Sequence, residues 1–286
     1  MNLSELTESM EQLLVERNLR RMAELRPALE SGYVLRAGRL LADADSVLIG
    51  TGFPVLETFE TDGPLGAIAL YKALEQLGKK CHLACADPLA GALDQDFEVL
   101  KLQAFDLDSA RREAESMLAT LKPDVVVSIE RPGLAEDNRY YNMRGEDISI
   151  RCAIFDYYLT LSPGSSVAIG DGGNEIGMGK LQAEVSALDI HGAATSCDEL
   201  LIADVSNWGA YALVAILEAL THTRLLASVE HHETLRYLSE RGSIDGVTRE
   251  NTLTEDGLPA SAGADLLGQL QQRLDEYDPS QENEKV

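Results

Sequence analysis

Val167-Ala168-Ile169-Gly170-Asp171-Gly172-Gly173-Asn174-Glu175-Ile176-Gly177-Met178-Gly179-Lys180 runs three apolar residues into a loop holding five glycines, an aspartate, an asparagine and a glutamate. The apolar run reads as a short buried strand. The loop reads as a backbone-rich, acid-bearing surface, because glycine lets a neighbour approach the main chain closely. A segment that only had to turn needs fewer glycines. The loop is therefore taken as a site, and the other segments are read for what they bring to it.

Outward from this stretch the same pattern recurs. Ser46–Gly50, Lys80–Ala84, Asp124–Ile129 and Glu199–Val205 read as strands, with a weaker strand or loop at Phe97–Leu102. Helical spacing is seen between them: 3–42 with a break at Pro27, 64–77 with Pro64 at its first position and Gly78 as its stop, 109–121, and 207–220 with Asn207 as its cap. A helix is expected near 147–160 and a short one at 176–183. His231-His232 opens a further helical stretch as a solvent-facing or structural pair. Strands separated by helices give an α/β fold with a predominantly parallel sheet, helices on both faces, and a helical N-terminal arm at 1–42. No repeat or linker divides the chain. One domain over 1–277 and a disordered polar tail at 278–286 are expected.

The totals limit the function. The 286 residues are 45% hydrophobic, enough for a full core, and the net charge is −24. Such a field repels nucleic acid and anionic membrane, so neither is an expected partner. No run approaches the roughly 20 apolar residues of a membrane helix. Cys81, Cys85, Cys152 and Cys197 match no zinc spacing and read as reduced thiols. The first residues lack the character of a signal or transit peptide, which points to a cytoplasmic protein. Arg17, Arg20, Arg21 and Arg26 cluster in the arm, as a solvated face or a subunit contact; arm and open sheet together are compatible with a homo-oligomer.

In open parallel sheets ligands bind beyond the carboxyl ends of the strands. Each strand here ends in polar or glycine-rich sequence: Thr51-Gly52, Asp87, Glu130-Arg131, Asp171 to Glu175, and Ser206-Asn207. Glu60, Asp62, Glu130, Asp171 and Glu175 are candidate ligands for Mn²⁺ or Mg²⁺, being hard oxygen donors. Any one of them alone reads equally well as a cap or turn former. Asp171, Glu130 and Asn174 are candidate catalytic residues. Thr51, Gly52, Arg131, Arg139, Arg144, Gly172, Gly173 and Asn207 are candidate substrate contacts, the arginines for carboxylate or another anion. The helix start at Gly66, Ala67 and Ala69 suits close packing or an anion. A nucleotide cofactor is not expected. A phosphate loop closing on Gly179-Lys180 needs glycine at 174, and a dinucleotide fingerprint starting at Gly170 needs glycine at 175; those positions hold Asn174 and Glu175.

Four segments together resemble the C-terminal domain of D-glutamate cyclases. They are Ile49-Gly50-Thr51-Gly52-Phe53-Pro54, Glu60-Thr61-Asp62-Gly63-Pro64-Leu65-Gly66, Glu130-Arg131-Pro132-Gly133, and Ile169 through Gly179. The resemblance spans roughly residues 45–220 and implies a lyase that dehydrates D-glutamate to 5-oxo-D-proline. Two-domain members add an N-terminal hydro-lyase-like domain, and this sequence is expected to be a stand-alone member without it. A carboxylate is a poor electrophile, so the reaction needs charge neutralisation by a divalent ion or an arginine. It also needs oxyanion donors, for which the Gly172–Gly173 amides are candidates, and proton carriers such as Glu130 or Asp171. Two readings stand beside it: a divalent-metal-dependent phosphatase or phosphate-ester hydrolase, and a non-catalytic module that binds a small molecule. The expected partner is in each case a small molecule, an amino acid or a phosphate ester.

Overall fold

Six short apolar runs pair into one parallel sheet: β1 (Ser46–Thr51), β2 (Lys80–Cys85), β3 (Val99–Lys101), β4 (Val125–Ile129), β5 (Ser165–Gly170) and β6 (Glu199–Ile202). Their order across the sheet is β3-β2-β1-β4-β5-β6. The chain leaves β1 toward one edge and returns from β4 toward the other. This reversal opens a crevice at the carboxyl ends of β1 and β4, where a doubly wound sheet binds ligands. The computed structural model describes residues 1–283.

Both faces are covered, as continuous rather than alternating apolar strands require. One face carries α1 (Leu3–Leu14), α2 (Tyr33–Asp43), α3 (Pro64–Gln76) and, through later packing, α6 (His231–Glu240) and α7 (Ala260–Glu276). The other carries α4 (Leu107–Leu121) and the short helix Asp156–Thr160, packed through Ala114, Leu118, Phe155 and Tyr158 onto Leu48 and Val126. At the centre of the first face lies α5 (Ser206–Thr221), whose residues 206–217 are all buried. A helix that is apolar all round belongs inside a layered core.

The helical N-terminal arm packs as a layer of this core. Leu6, Met10 and Leu14 are fully buried. The arm is not continuous up to Pro27: α1 ends at Leu14, residues 15–21 form turns, and Pro27 lies in the 3-10 turn Arg26–Ala28 that follows the short helix Met22–Leu25. The helix expected near 147–160 is interrupted: a turn at Ser149–Arg151 is followed by Ile154, whose amide donates to Ala104 O at 3.0 Å and leaves the helical ladder. Likewise 176–183 holds a 3-10 turn (Met178–Leu181) and one helical turn (Gln182–Val185). β6 stops at Ile202 because Asp204 turns away, its amide donating to Leu14 O at 2.7 Å. Of the tail expected to be disordered, Pro279–Asn283 form a 3-10 turn, and 284–286 lie outside the described residues. His231 is buried, with Nδ1 2.8 Å from Tyr211 Oη, whereas His232 is exposed.

α3 and α5 meet at their N-termini and cap each other. Asn207 Oδ1 accepts from the amides of Gly63 (2.9 Å) and Gly66 (2.7 Å) at the start of α3. Asp62 accepts from the amides of Ser206 (3.0 Å) and Asn207 (2.8 Å) at the start of α5. Asn207 thus caps the neighbouring helix, not its own. The amides left open at a helix start are satisfied here across the interface. The approach is close enough to need Gly66, where a Cβ would lie 2.8 Å from Asn207 Cα and 2.9 Å from Ala210 Cβ. Gly66→Ala therefore lowers stability by about 1–3 kcal/mol through overpacking, although alanine is the better helix former. Chemical denaturation measures this; an unchanged or raised midpoint contradicts the packing described.

Candidate functional site

The strand tips build an acidic chamber of about 600 Å³ at the crevice between β1 and β4. Its walls include Glu60, Glu130, Asp171, Asn174, Glu175 and Asp256. Asp62, Glu130 and Asp171 are all buried and each offers a carboxylate oxygen within 4.8 Å of the others. They come from the loop before α3, the end of β4 and the end of β5.

Ser206, the first residue of α5, holds these three carboxylates together. Its amide is shared between Asp62 Oδ2 (3.0 Å) and Asp171 Oδ2 (3.2 Å), and its hydroxyl donates to Glu130 Oε2 at 2.6 Å. The positive end of the α5 dipole faces the same acids. Glu130 has φ +46. A non-glycine residue in that region is strained, and such strain persists where the surroundings over-determine it, commonly at functional sites.

One guanidinium enters the chamber from the N-terminal segment. Arg20 Nε donates to Asp171 O at 3.0 Å, and its Nη2 donates to Asp204 O at 2.9 Å and pairs with the carboxylates of Asp171 and Asp256. Asp204 clips that segment in place by accepting from the amides of Arg17 (2.7 Å) and Leu19 (3.0 Å). Arg20 thus pairs with only two of the six carboxyls Glu60, Asp62, Glu130, Asp171, Glu175 and Asp256. Burial pushes the Asp62 carboxyl up to about 7, with Asp256 adding to the effect. Burial likewise raises Glu60 and Glu130 well above the usual range; Asp256 reinforces it at Glu60 and Glu175 at Glu130. Asp171 is raised by burial against the opposing pull of Arg20. Crowded buried carboxyls either hold protons or share a cation.

The donor set fits a hard divalent ion. Asp62, Glu130 and Asp171 supply only oxygen, and Asn174 Oδ1 is buried in the same wall without a hydrogen-bond partner. Oxygen-only ligation suits Mg²⁺ or Mn²⁺ rather than zinc.

The other sequence candidates fall into separate places. The Gly172 and Gly173 amides donate to Glu175 Oε1 (2.9 Å) and Oε2 (2.7 Å), so they are occupied by the loop's own acid and are not aimed at a ligand. Arg144 lines the chamber beside Arg151 and Arg249, where Arg249 pairs with Glu146 at 3.0 Å. Arg139 is exposed and pairs with Asp147 at 3.2 Å, outside the chamber wall. Thr51, Gly52 and Arg131 line a smaller neighbouring cavity, and Asn207 is sealed between α3 and α5. Arg20 and Asp256 escaped the sequence reading. For Arg20 only the cluster of arginines in an acidic chain marked the segment. Asp256-Gly257 carries the Asp-Gly turn signal between the paired residues 254–255 and 258–259, and both have positive φ, as a two-residue hairpin turn requires.

The raised carboxyls make stability pH-dependent. The native chain binds more protons than the unfolded chain between the ordinary aspartate range and about pH 7, so stability falls as pH rises through that window. With chelator present, Glu60→Gln raises the melting temperature at about pH 8 and flattens its pH slope, since Gln keeps the shape without the charge. Thermal denaturation from about pH 5 to 8 checks this; a variant less stable than wild type at the alkaline end contradicts it.

With this geometry in hand, the relatives can be compared. The family described as "D-glutamate cyclase-like, C-terminal" matches residues 10–271. The human protein named "D-glutamate cyclase, mitochondrial" is 39% identical over 212 residues, which are 64% of this chain and 34% of that protein. The chain thus spans about a third of the length of the curated relative it matches. Among solved structures, an exopolyphosphatase-related protein from Bacteroides fragilis aligns with TM-score 0.43 and 11% identity, over 85% of this chain and 56% of that one. RecJ with Mn²⁺ from Thermus thermophilus aligns with TM-score 0.38 and 13% identity, over 96% and 43%. No helix among the described residues is long and apolar enough to cross a membrane. The match over most of the chain, with the 39% identical relative, establishes that this protein belongs to the family of D-glutamate cyclase-like C-terminal domains.

Proposed function

We infer that the chamber converts D-glutamate to 5-oxo-D-proline with loss of water, in a cytoplasmic protein. The observation that carries this reading is the layout of charge. The chamber wall carries buried carboxyls together with Arg144, Arg151 and Arg249, the last paired with Glu146. A dicarboxylic amino acid has the matching pattern, an ammonium for the acids and carboxylates for the arginines. The family relationship supports the same substrate.

Glu130 and Asp171, candidate proton carriers on sequence, are better placed as ligands with Asp62, because Ser206 holds all three. A divalent cation there would act as a Lewis acid on the γ-carboxyl group. Glu60 is the proton carrier in this proposal: it lines the chamber, and burial raises its carboxyl well above the usual carboxylate range, which favours its holding a proton. Asn174 Oδ1 accepts from the ammonium and orients it. The ammonium gives up two protons in all, its nitrogen bonds to the γ-carbon, and the departing oxygen leaves as water carrying two protons.

The hydrolase reading rests on the same pairing of oxygen ligands with arginines, which also suits a metal-bridged phosphate ester. Incubation of purified protein with D- or L-glutamate and Mn²⁺, followed by chiral chromatography, separates the readings. The cyclase reading expects 5-oxo-D-proline, lowered about 100-fold or more by Asp171→Asn or Glu60→Gln. No product above background, with chelator-sensitive phosphate release from an aryl phosphate, replaces it with the hydrolase.

A further inference from the structure

At the exposed side of the acidic chamber two loops meet, where Met143 is 41% and Val247 49% exposed. Arginines join them. Arg144 Nη2 donates to Val247 O at 3.1 Å, and Arg249 Nη2 donates to Glu146 Oε2 at 3.0 Å. All four of these residues line the chamber, as does Arg151, which donates to Leu56 O. Among the described residues Arg144 and Arg151 have no carboxylate within ion-pair distance. Arg249 alone of the three already holds one, supplied by the chain itself.

The two partners of that ion pair are held unequally. Arg249 belongs to a fixed turn. Its amide donates to Asp245 O at 2.8 Å, and the fully buried Asp245 carboxylate accepts from the amides of Val247 (2.9 Å), Thr248 (2.8 Å) and Gly257 (2.7 Å). The same turn lies against Glu60, since a Cβ at Gly246 would come 2.0 Å from Glu60 Oε2. The Glu146 side chain is 52% exposed, against 31% for Arg249. Its carboxylate also accepts from Asn142 Nδ2 at 2.6 Å, and that hydrogen bond, followed by the one from Arg249, holds the carboxyl below its usual range. Glu146 is therefore an ionised acid that keeps Asn142 and water as partners once it leaves Arg249. Exposed ion pairs of this kind are weak.

We propose that Glu146 is a built-in competitor for Arg249, displaced when a carboxylate ligand enters the chamber and takes the guanidinium in its place. One carboxylate replaces another, so Arg249 never loses a charged acceptor. The exchange also releases one of the two arginine clips between the loops. The inference rests on the chamber taking an anionic small molecule, as in both readings above, and not on the reaction that follows.

Glutarate, which has carboxylates and no amine, is the probe, with inorganic phosphate as the second arm. Calorimetric titration in buffer holding Mn²⁺ compares wild type, Glu146→Gln, Arg249→Gln and the double variant, with circular dichroism as the check on folding. Glu146→Gln is expected to bind glutarate about two- to fivefold more tightly than wild type, and Arg249→Gln about tenfold more weakly. In the Arg249→Gln background, Glu146→Gln brings no further gain, because no guanidinium is left there to release. Weaker binding by both single variants marks a purely structural clip and overturns the proposal. An equal gain with and without Arg249 marks Glu146 as a repelling charge only, and overturns it too. So does absence of glutarate binding by wild type and Glu146→Gln alike. Preference for phosphate over glutarate overturns the carboxylate assignment. Turnover of D-glutamate is not read, so failure of the cyclase reading leaves these outcomes unchanged.

Discussion

The N-terminus of α5 is the point on which the rest of the site depends. Ser206 shares one amide between Asp62 and Asp171 and gives its hydroxyl to Glu130. Asn207, one residue on, caps α3 through the amides of Gly63 and Gly66 and so fixes the loop that carries Asp62. The contact therefore joins secondary structure to chemistry. The caps that allow α3 and α5 to begin in the core are made by the groups that gather the acids. Glu255 extends the same network, accepting from Asn207 Nδ2 at 2.8 Å and Trp208 Nε1 at 2.9 Å, directly before Asp256 in the chamber.

Such an arrangement stores unfavourable charge. Burial raises Glu60, Glu130 and Asp171, and Arg20 only partly offsets their crowding. A protein built for stability alone would replace these groups with apolar ones. Among them Glu130 takes a positive φ, and beside them Asn174 Oδ1 is buried without a hydrogen-bond partner. Gly172 and Gly173, which resemble an anion cradle, serve instead to tie Glu175 down within its own loop.

The sheet and its rim were legible because each strand is an apolar run that ends in a polar loop. Asp171 and Glu130 stand directly at those ends, where the parallel topology fixes position without further information. Asp62 and Glu60 lie in the loop entering α3 and were legible through the Pro64 helix start. Arg20 and Asp256 reach the chamber through tertiary clips: Asp204 on the 17–19 amides, and the 242–258 segment, whose Ile244 pairs with Phe59 and Thr61. Nothing local in the sequence encodes such contacts. Asn207 shows the converse failure, a residue whose capping chemistry was read correctly and assigned to the wrong helix. Arg131 and Thr51 were read as ligand-facing, and the structure sets them in a separate chamber from the acids.

The central claim is that α5 gathers Asp62, Glu130 and Asp171 into a divalent-cation site. Anomalous diffraction from crystals grown with Mn²⁺ tests it most directly. The account predicts a peak within about 2.0–2.6 Å of an oxygen from each of the three residues. A strong peak elsewhere on the protein, or none at the α5 N-terminus with Mn²⁺ in excess, would contradict it.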